Sequence, residues 1–166
     1  MKKDKKRYVI SIFFIFLLMF IEGCGELQEP IISIYAQVSK IDDQEMANIG
    51  AKELTNSTKG DFRKFTFDLS IIHLENVVSQ TINFPENWAK LIDSNGKDRY
   101  WYGSDSNQEN ENDVYYTNEF IFYSKGLSKE EIKKAYQSAI INISWLTKEG
   151  KWRTREFVIG DYMIFK

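Results

Sequence analysis

The segment Arg63–Leu74, RKFTFDLSIIHL, alternates without a break, with Phe65, Phe67, Leu69 and Ile71 on one side and Lys64, Thr66, Asp68 and Ser70 on the other. Successive side chains of an extended chain point to opposite faces, so a period of two predicts a half-buried β-strand. His73 continues the apolar series and is read as a partly buried strand histidine.

The same period recurs on either side. In IISIYAQVSK (31–40), Ile32, Ile34, Ala36 and Val38 oppose Ser33, Gln37 and Ser39. VVSQTINF (77–84) is a further strand, stopped by Pro85, which has no N–H to give a ladder. WAKLIDSNGKDRYWYG (88–103) reads as two strand-like runs around Asn95-Gly96, a pair suited to the positive φ angles of a tight hairpin turn, with Trp88, Leu91, Tyr100 and Trp101 as packing residues. VYYTNEFIFYS (114–124) is strand-like. AIINISWL (139–146), the turn TKEGK (147–151) and WRTREFVIGDYMIF (152–165) form a closing hairpin that carries Ile141, Ile143, Trp145, Trp152, Phe157 and Ile159.

One segment has the helical period. In GLSKEEIKKAYQSA (126–139), Ser128 with Glu131 three residues on makes a capping box, and Ile132, Ala135 and Tyr136 form the inner stripe. Residues 41–61 lack a clear period and are expected to hold a short helix and a loop. About seven strands, one short helix at a crossover and no alternation of strand and helix predict two packed antiparallel sheets, an immunoglobulin-like β-sandwich over residues 31–166.

The chain opens MKKDKKRYVISIFFIFLLMFIEGC: a basic cluster of Lys2, Lys3, Lys5, Lys6 and Arg7, then an uncharged apolar run from Tyr8 to Ile21. That is the layout of an export signal, and the run is shorter than the ~20 residues needed to cross a bilayer core. It ends on the chain's single cysteine, Cys24. Ile21-Glu22-Gly23-Cys24 resembles the lipobox of bacterial lipoproteins, with the aliphatic residue three before the cysteine and the small residue directly before it; Glu22 stands where a small or hydroxylated residue is usual. The resemblance implies a signal peptide over 1–23, lipidation of Cys24, and a protein anchored to the outer face of the cell membrane through lipid. Residues 24–30, polar and ending in Pro30, then read as a tether. The layout from Phe65 to Lys166 is similar to the small immunoglobulin-like domains of lipoproteins secreted by Gram-positive bacteria: FTFDLSIIHLEN as a strand, KLIDSNGKDRYW as a hairpin, GLSKEEIKKA, and a closing Trp strand. This likeness implies a fold and a place, not a reaction.

With one cysteine no intrachain disulfide can form, so stability must come from the core. About 140 residues remain after the signal, a length that buries roughly two thirds of the unfolded surface. The whole chain has 22 Lys and Arg against 24 Asp and Glu; taking away the five basic residues of the leader, with Asp4 and Glu22, leaves 17 against 22, a net charge of −5. Such a balance offers nothing to a polyanion, and nucleic acid is excluded as an expected partner.

Catalytic motifs are scarce. A single histidine rules out a metal site built on two, and no Gly-x-Ser-x-Gly, Gly-rich phosphate loop or His-Glu-x-x-His is present. A carboxylate pair stays open in principle, and the sequence does not choose one. The expectation is a protein without catalysis, cofactor or metal. Two surface features remain. GSDSNQENEND (103–113) carries the oxygen-bearing side chains that Ca²⁺ prefers but not the central glycine and spacing of a calcium loop, and is read as a solvated connection. Tyr100, Trp101, Tyr102, Tyr115 and Tyr116 are adjacent aromatics that cannot all face a core; Tyr100, Tyr102, Tyr115 and Tyr116 are the candidate ligand-binding residues. The functional expectation is a lipid-anchored binding or adhesion module that contacts another envelope protein or a wall polymer; the alternative is an anchored inhibitor or immunity-type protein that blocks an enzyme.

Overall fold

A computed structural model of the chain describes residues 29–49, 56–96 and 98–166; the expected signal peptide over 1–23 and Cys24 lie outside the described residues. Among the described residues eight strands form two sheets. They are β1 (Ile31–Lys40), β2 (Phe62–Ile72), β3 (Val77–Asn83), β4 (Tyr100–Glu109), β5 (Val114–Tyr123), β6 (Ile140–Thr147), β7 (Trp152–Val158) and β8 (Met163–Phe165). The first sheet runs β4-β5-β2-β1-β8 and the second β3-β6-β7. All pairings are antiparallel except that of β8, which lies parallel to β1 with Ala36 opposite Met163 and Val38 opposite Phe165. A fully antiparallel sandwich was the expectation; the closing segment instead leaves the second sheet after β7 and returns to the first.

The alternation of β2 is realised as read. Phe65, Phe67, Leu69 and Ile71 are buried and, with Ala36 and Val38 of β1 and Phe120 and Phe122 of β5, form the inner face of the first sheet. Ile141, Ile143 and Trp145 of β6 answer them from the second sheet. Burying each of these large side chains removes ~1.5–3 kcal/mol worth of apolar surface from water. Phe67 is fully buried and Trp145 is 2% exposed. Trp152, placed by its sequence in the closing hairpin's apolar set, is instead 60% exposed, because its partner Leu146 lies on the outer face of β6 and β7 is an edge strand.

Three α-helices are present among the described residues where one was clearly legible: α1 (Asp43–Asn48), α2 (Trp88–Asp93) and α3 (Lys129–Ala135). The predicted capping box of α3 is formed, with Ser128 accepting from Glu131 N–H and Glu131 accepting from Ser128 N–H. Residues 88–93 form a helix and not the first arm of a hairpin, for Asn87 accepts from Lys90 N–H and caps it. The turn at Asn95-Gly96 follows this helix, with Gly96 at φ +132°. Residues 103–109 are not a loop either: they continue β4 to Glu109, and only Asn110–Asp113 turn. His73 leaves the strand pattern. Its φ of +66° puts it in the left-handed region, and the buried Leu74 takes the inward position as the chain crosses to the second sheet.

The two ends of the sandwich differ in construction. At one end stand Ile31, the β2–β3 connection, the β4–β5 turn and the β6–β7 turn, stitched by Leu74 N–H to Asn112 O and Lys148 N–H to Asn76 O. At the other end the β1–β2, β3–β4 and β5–β6 connections carry α1, α2 and α3. There a second apolar cluster of Ile41, Ile49, Phe62 and Ile121 lies on the outer face of the first sheet. Trp101 closes it, meeting Phe62 edge-on at 5.9 Å and donating its indole N–H to Ile49 O at 2.7 Å.

Candidate functional site

The four candidate tyrosines do not form one surface. Register places Tyr100 opposite Phe122 and Tyr116 opposite Asn107 and Leu69, so both face inward. Tyr100 packs on Phe120 at 5.2 Å between centroids, and Tyr116 stacks on Phe84 at 4.0 Å. Burial, and then the charge of Asp105, raise the Tyr100 phenol above its usual range. Tyr102 and Tyr115 are 38% and 44% exposed and do share the outer face of the first sheet. They sit opposite Ile121 and at position 115 of β5, six residues apart along one strand, or roughly 20 Å.

A bulge decides which of the four is functionally placed. The β4–β5 register slips between Tyr100 and Tyr102, so Trp101 and Tyr102 together oppose Ile121. Trp101 thereby fills the second apolar cluster, and Tyr102 becomes the wall of an adjoining hollow. Gly103, the next residue, is required by close approach: a Cβ there would stand 2.5 Å from the Cβ of Phe120 and 2.6 Å from the carbonyl oxygen of Glu119.

The hollow has a volume of about 310 Å³ and is lined by Glu45 of α1, Lys64 of β2, Tyr102 and Ser104 of β4, and Glu119 and Ile121 of β5. Lys64 is its centre, with Nζ 3.0 Å from Glu119 Oε2 and 3.4 Å from Glu45 Oε1. Burial pulls the lysine's pKa down, but Glu119 and then Glu45 outweigh it, and the net shift is upward. Lys64 is therefore held as an ammonium, without the lone pair that a nucleophile or base needs. Burial, followed by the charge of Glu45, raises the Tyr102 phenol against a smaller opposing effect of Lys64, so Tyr102 stays a hydrogen-bond donor. Two carboxylates against one ammonium leave one net negative charge beside a phenol and a serine hydroxyl. This combination suits neutral hydroxyl-rich or cationic groups and repels anions.

The hollow's charged members gave no sequence signal as a group, for Glu45, Lys64 and Glu119 come from three separate elements. Only Tyr102 was singled out. Tyr116 lines a different hollow of about 200 Å³ on the open flank between β3 and β4, where Gln80 Nε2 donates to Glu109 at 3.2 Å. His73 lies at the opposite end of the fold, its Nδ1 3.3 Å from Glu75 in an exposed pair. Among the described residues no three His, Cys, Asp or Glu side chains cluster as metal ligands would, and no helix is long and apolar enough to cross a membrane. Comparison with models of known families, with curated proteins and with solved structures finds no match.

Proposed function

We propose that the chain is a lipid-anchored, extracytoplasmic binding module of the cell envelope, joined to the membrane through Cys24 and recognising an envelope protein or wall polymer without turnover. One observation carries this reading: the described chain enters at the turn-bearing end, at Glu29 and Ile31, whereas the hollow around Lys64 and Tyr102 lies toward the helix-bearing end beside α1. An anchor at residue 24 leaves at most ~18 Å of chain before Glu29, so the domain stands on its turns and presents the hollow toward the medium.

The strand order supports an immunoglobulin-like fold for this module. With β1 to β7 taken as strands A to G, β1-β2-β5-β4 against β3-β6-β7 is the A-B-E-D and C-F-G order of constant-type domains, to which β8 adds a strand beside A. A lysine kept protonated between two carboxylates supports recognition over chemistry.

The test has two arms. Cells expressing the chain are fed labelled fatty acid, and Cys24→Ala should abolish the incorporation seen in the parent; equal labelling of the two overturns the anchor. Cross-linking of intact cells should then capture a partner that is lost from Tyr102→Ser but kept by Tyr115→Ser. Equal capture by both removes the hollow from the reading.

A further inference from the structure

The two sheets do not end level on the flank where β3 and β4 lie. Gln80 and Ile82 of β3 and the following Phe84 stand over Val114 and Tyr116 of β5, with Phe84 stacked on Tyr116, so β3 covers β5 and no strand covers β4. Register puts Asp105, Asn107 and Glu109 on the inner face, opposite Asn118, Tyr116 and Val114. Every residue from Tyr102 to Glu109 is nevertheless exposed.

The uncovered strip is a groove. Two hollows of about 320 and 200 Å³ run along it and share Gln80 and Glu109; the first adds Val78 and Glu111, the second Asn107 and Tyr116. Gln80 Nε2 donates to Glu109 at 3.2 Å across the gap, while Gln80 Oε1 is buried with no partner among the described residues. Neither hollow has a lysine or arginine in its lining. Among the described residues no ion pair uses Asp105, Glu109 or Glu111, so the carboxylates face the groove without a cation.

Of the four edge strands, β4 and β7 carry charged side chains and β8 is three residues long, protections that discourage pairing with another chain. β3 has seven residues, VVSQTIN, with neither charge nor proline. Every second residue of an edge strand turns its N–H and C=O away from its one neighbour, so β3 offers a bare row of backbone donors and acceptors beside the groove. Val78, 63% exposed, adds apolar surface at one end of that row.

We propose that this flank docks an extended peptide segment rich in lysine or arginine, which joins the second sheet as a strand beside β3. A strand added there lies about 4.8 Å from β3 and about 10 Å above β4, the place that the second sheet leaves empty. Its inward side chains meet Glu109 and Glu111, and its outward ones continue a face on which β3 shows Ser79, Thr81 and Asn83. Backbone pairing supplies affinity, and the carboxylates select a cationic partner over an acidic one. The proposal needs neither the lipid anchor nor the hollow around Lys64.

The experiment uses the full chain in a neutral detergent and a fluorescent peptide of about eight residues, alternately lysine and threonine. The peptide should bind saturably and slow hydrogen exchange at alternate amides of β3, while a peptide of alternating glutamate and threonine should not bind. Glu109→Gln together with Glu111→Gln keeps the acceptor for Gln80 and should weaken binding about tenfold. Absence of binding to the parent, or unchanged affinity in the double variant, overturns the proposal. Because successive N–H groups of a strand point to opposite edges, methylating the amides of all the lysines or of all the threonines should abolish binding in one case and spare it in the other. Equal binding by the two methylated peptides, or exchange at β3 unmoved by the peptide, shows adhesion by charge alone and overturns strand addition. Protection of β3 that appears without peptide and grows with protein concentration would assign the edge to a second copy of the chain and overturn the proposal as well.

Discussion

The ring of Tyr136 lies parallel to that of Phe65, 4.8 Å between centroids with 7° between planes, and so ties the crossover after α3 to the first half of β2. Tyr136 is fully buried, and its hydroxyl has no hydrogen-bond partner among the described residues. Burial, and behind it the charge of Asp93, push this phenol well above the ordinary tyrosine range. Tyr136→Phe keeps the stacking and removes an unpaired polar group, so stability should be unchanged or higher by ~1 kcal/mol, whereas Tyr136→Ala should lose ~3–5 kcal/mol. Denaturant melts of the two variants check this.

The same phenol predicts an alkaline limb. A folded pKa raised above the unfolded value favours folding fully below the unfolded pKa, and that advantage is lost as pH rises from there toward the folded pKa. From about pH 10 upward the parent should therefore lose stability relative to Tyr136→Phe by up to ~1.4 kcal/mol per pH unit. A constant difference between the two proteins from pH 8 to 11 would show that the hydroxyl ionises as readily when folded as when unfolded.

Gly103→Ala should be costly although β4 is an edge strand. The new methyl would overlap Phe120 and the Glu119 carbonyl, with the Tyr100 hydroxyl 2.8 Å away on the third side. Overpacking of this kind costs ~1–3 kcal/mol, and relief by shifting β4 would move Tyr102 out of the hollow. Thermal melts give the first effect and loss of partner capture the second.

Ser128→Ala removes the cap of α3 and should cost about 1 kcal/mol. Hydrogen bonds from the Ser128 backbone, and then from its hydroxyl, hold the Glu131 carboxyl below the usual range. A lowered folded pKa favours folding above the unfolded pKa, and the benefit disappears as pH falls through the folded value. The gap between parent and variant should accordingly narrow on acidification through the range of an ordinary glutamate, which melts at pH 7 and pH 3 would measure.

In the hollow, Lys64→Met should leave Glu45 and Glu119 close together without their cation. The Tyr102 phenol then loses the one group that lowers its pKa and should titrate higher, a shift readable by ultraviolet absorbance.

Period two found the strands whose inner residues are apolar. β2 announces itself because every second residue from Phe65 to Ile71 enters the core. Only the start of β4 was legible, because residues 103–109 are exposed throughout and owe their extended form to backbone pairing with β5, which leaves no mark in side-chain chemistry. α2 was missed because six residues show less than two turns of any period, and Asn87 was the only local sign of its start. The tyrosines were legible as aromatics in excess of the core. Tyr115 and Tyr116 divide between faces by plain alternation, whereas Tyr100 and Tyr102 are separated by a one-residue register slip at Trp101 that alternation alone cannot foresee. Glu45, Lys64 and Glu119 meet through long-range folding, so their grouping was out of reach of any local reading.

The parallel contact of β8 with β1 sets an order of events. Residue 36 cannot acquire its partner until residue 163 has been made, and Lys166 N–H closes the ladder on Val38 O. A chain synthesised from its amino end therefore holds β1 unfinished until β8 has been made, with one row of amides and carbonyls open to any passing strand. Closure between such distant positions is slow to find. β8 thus acts as a latch whose arrival separates an open, aggregation-prone edge from a covered one.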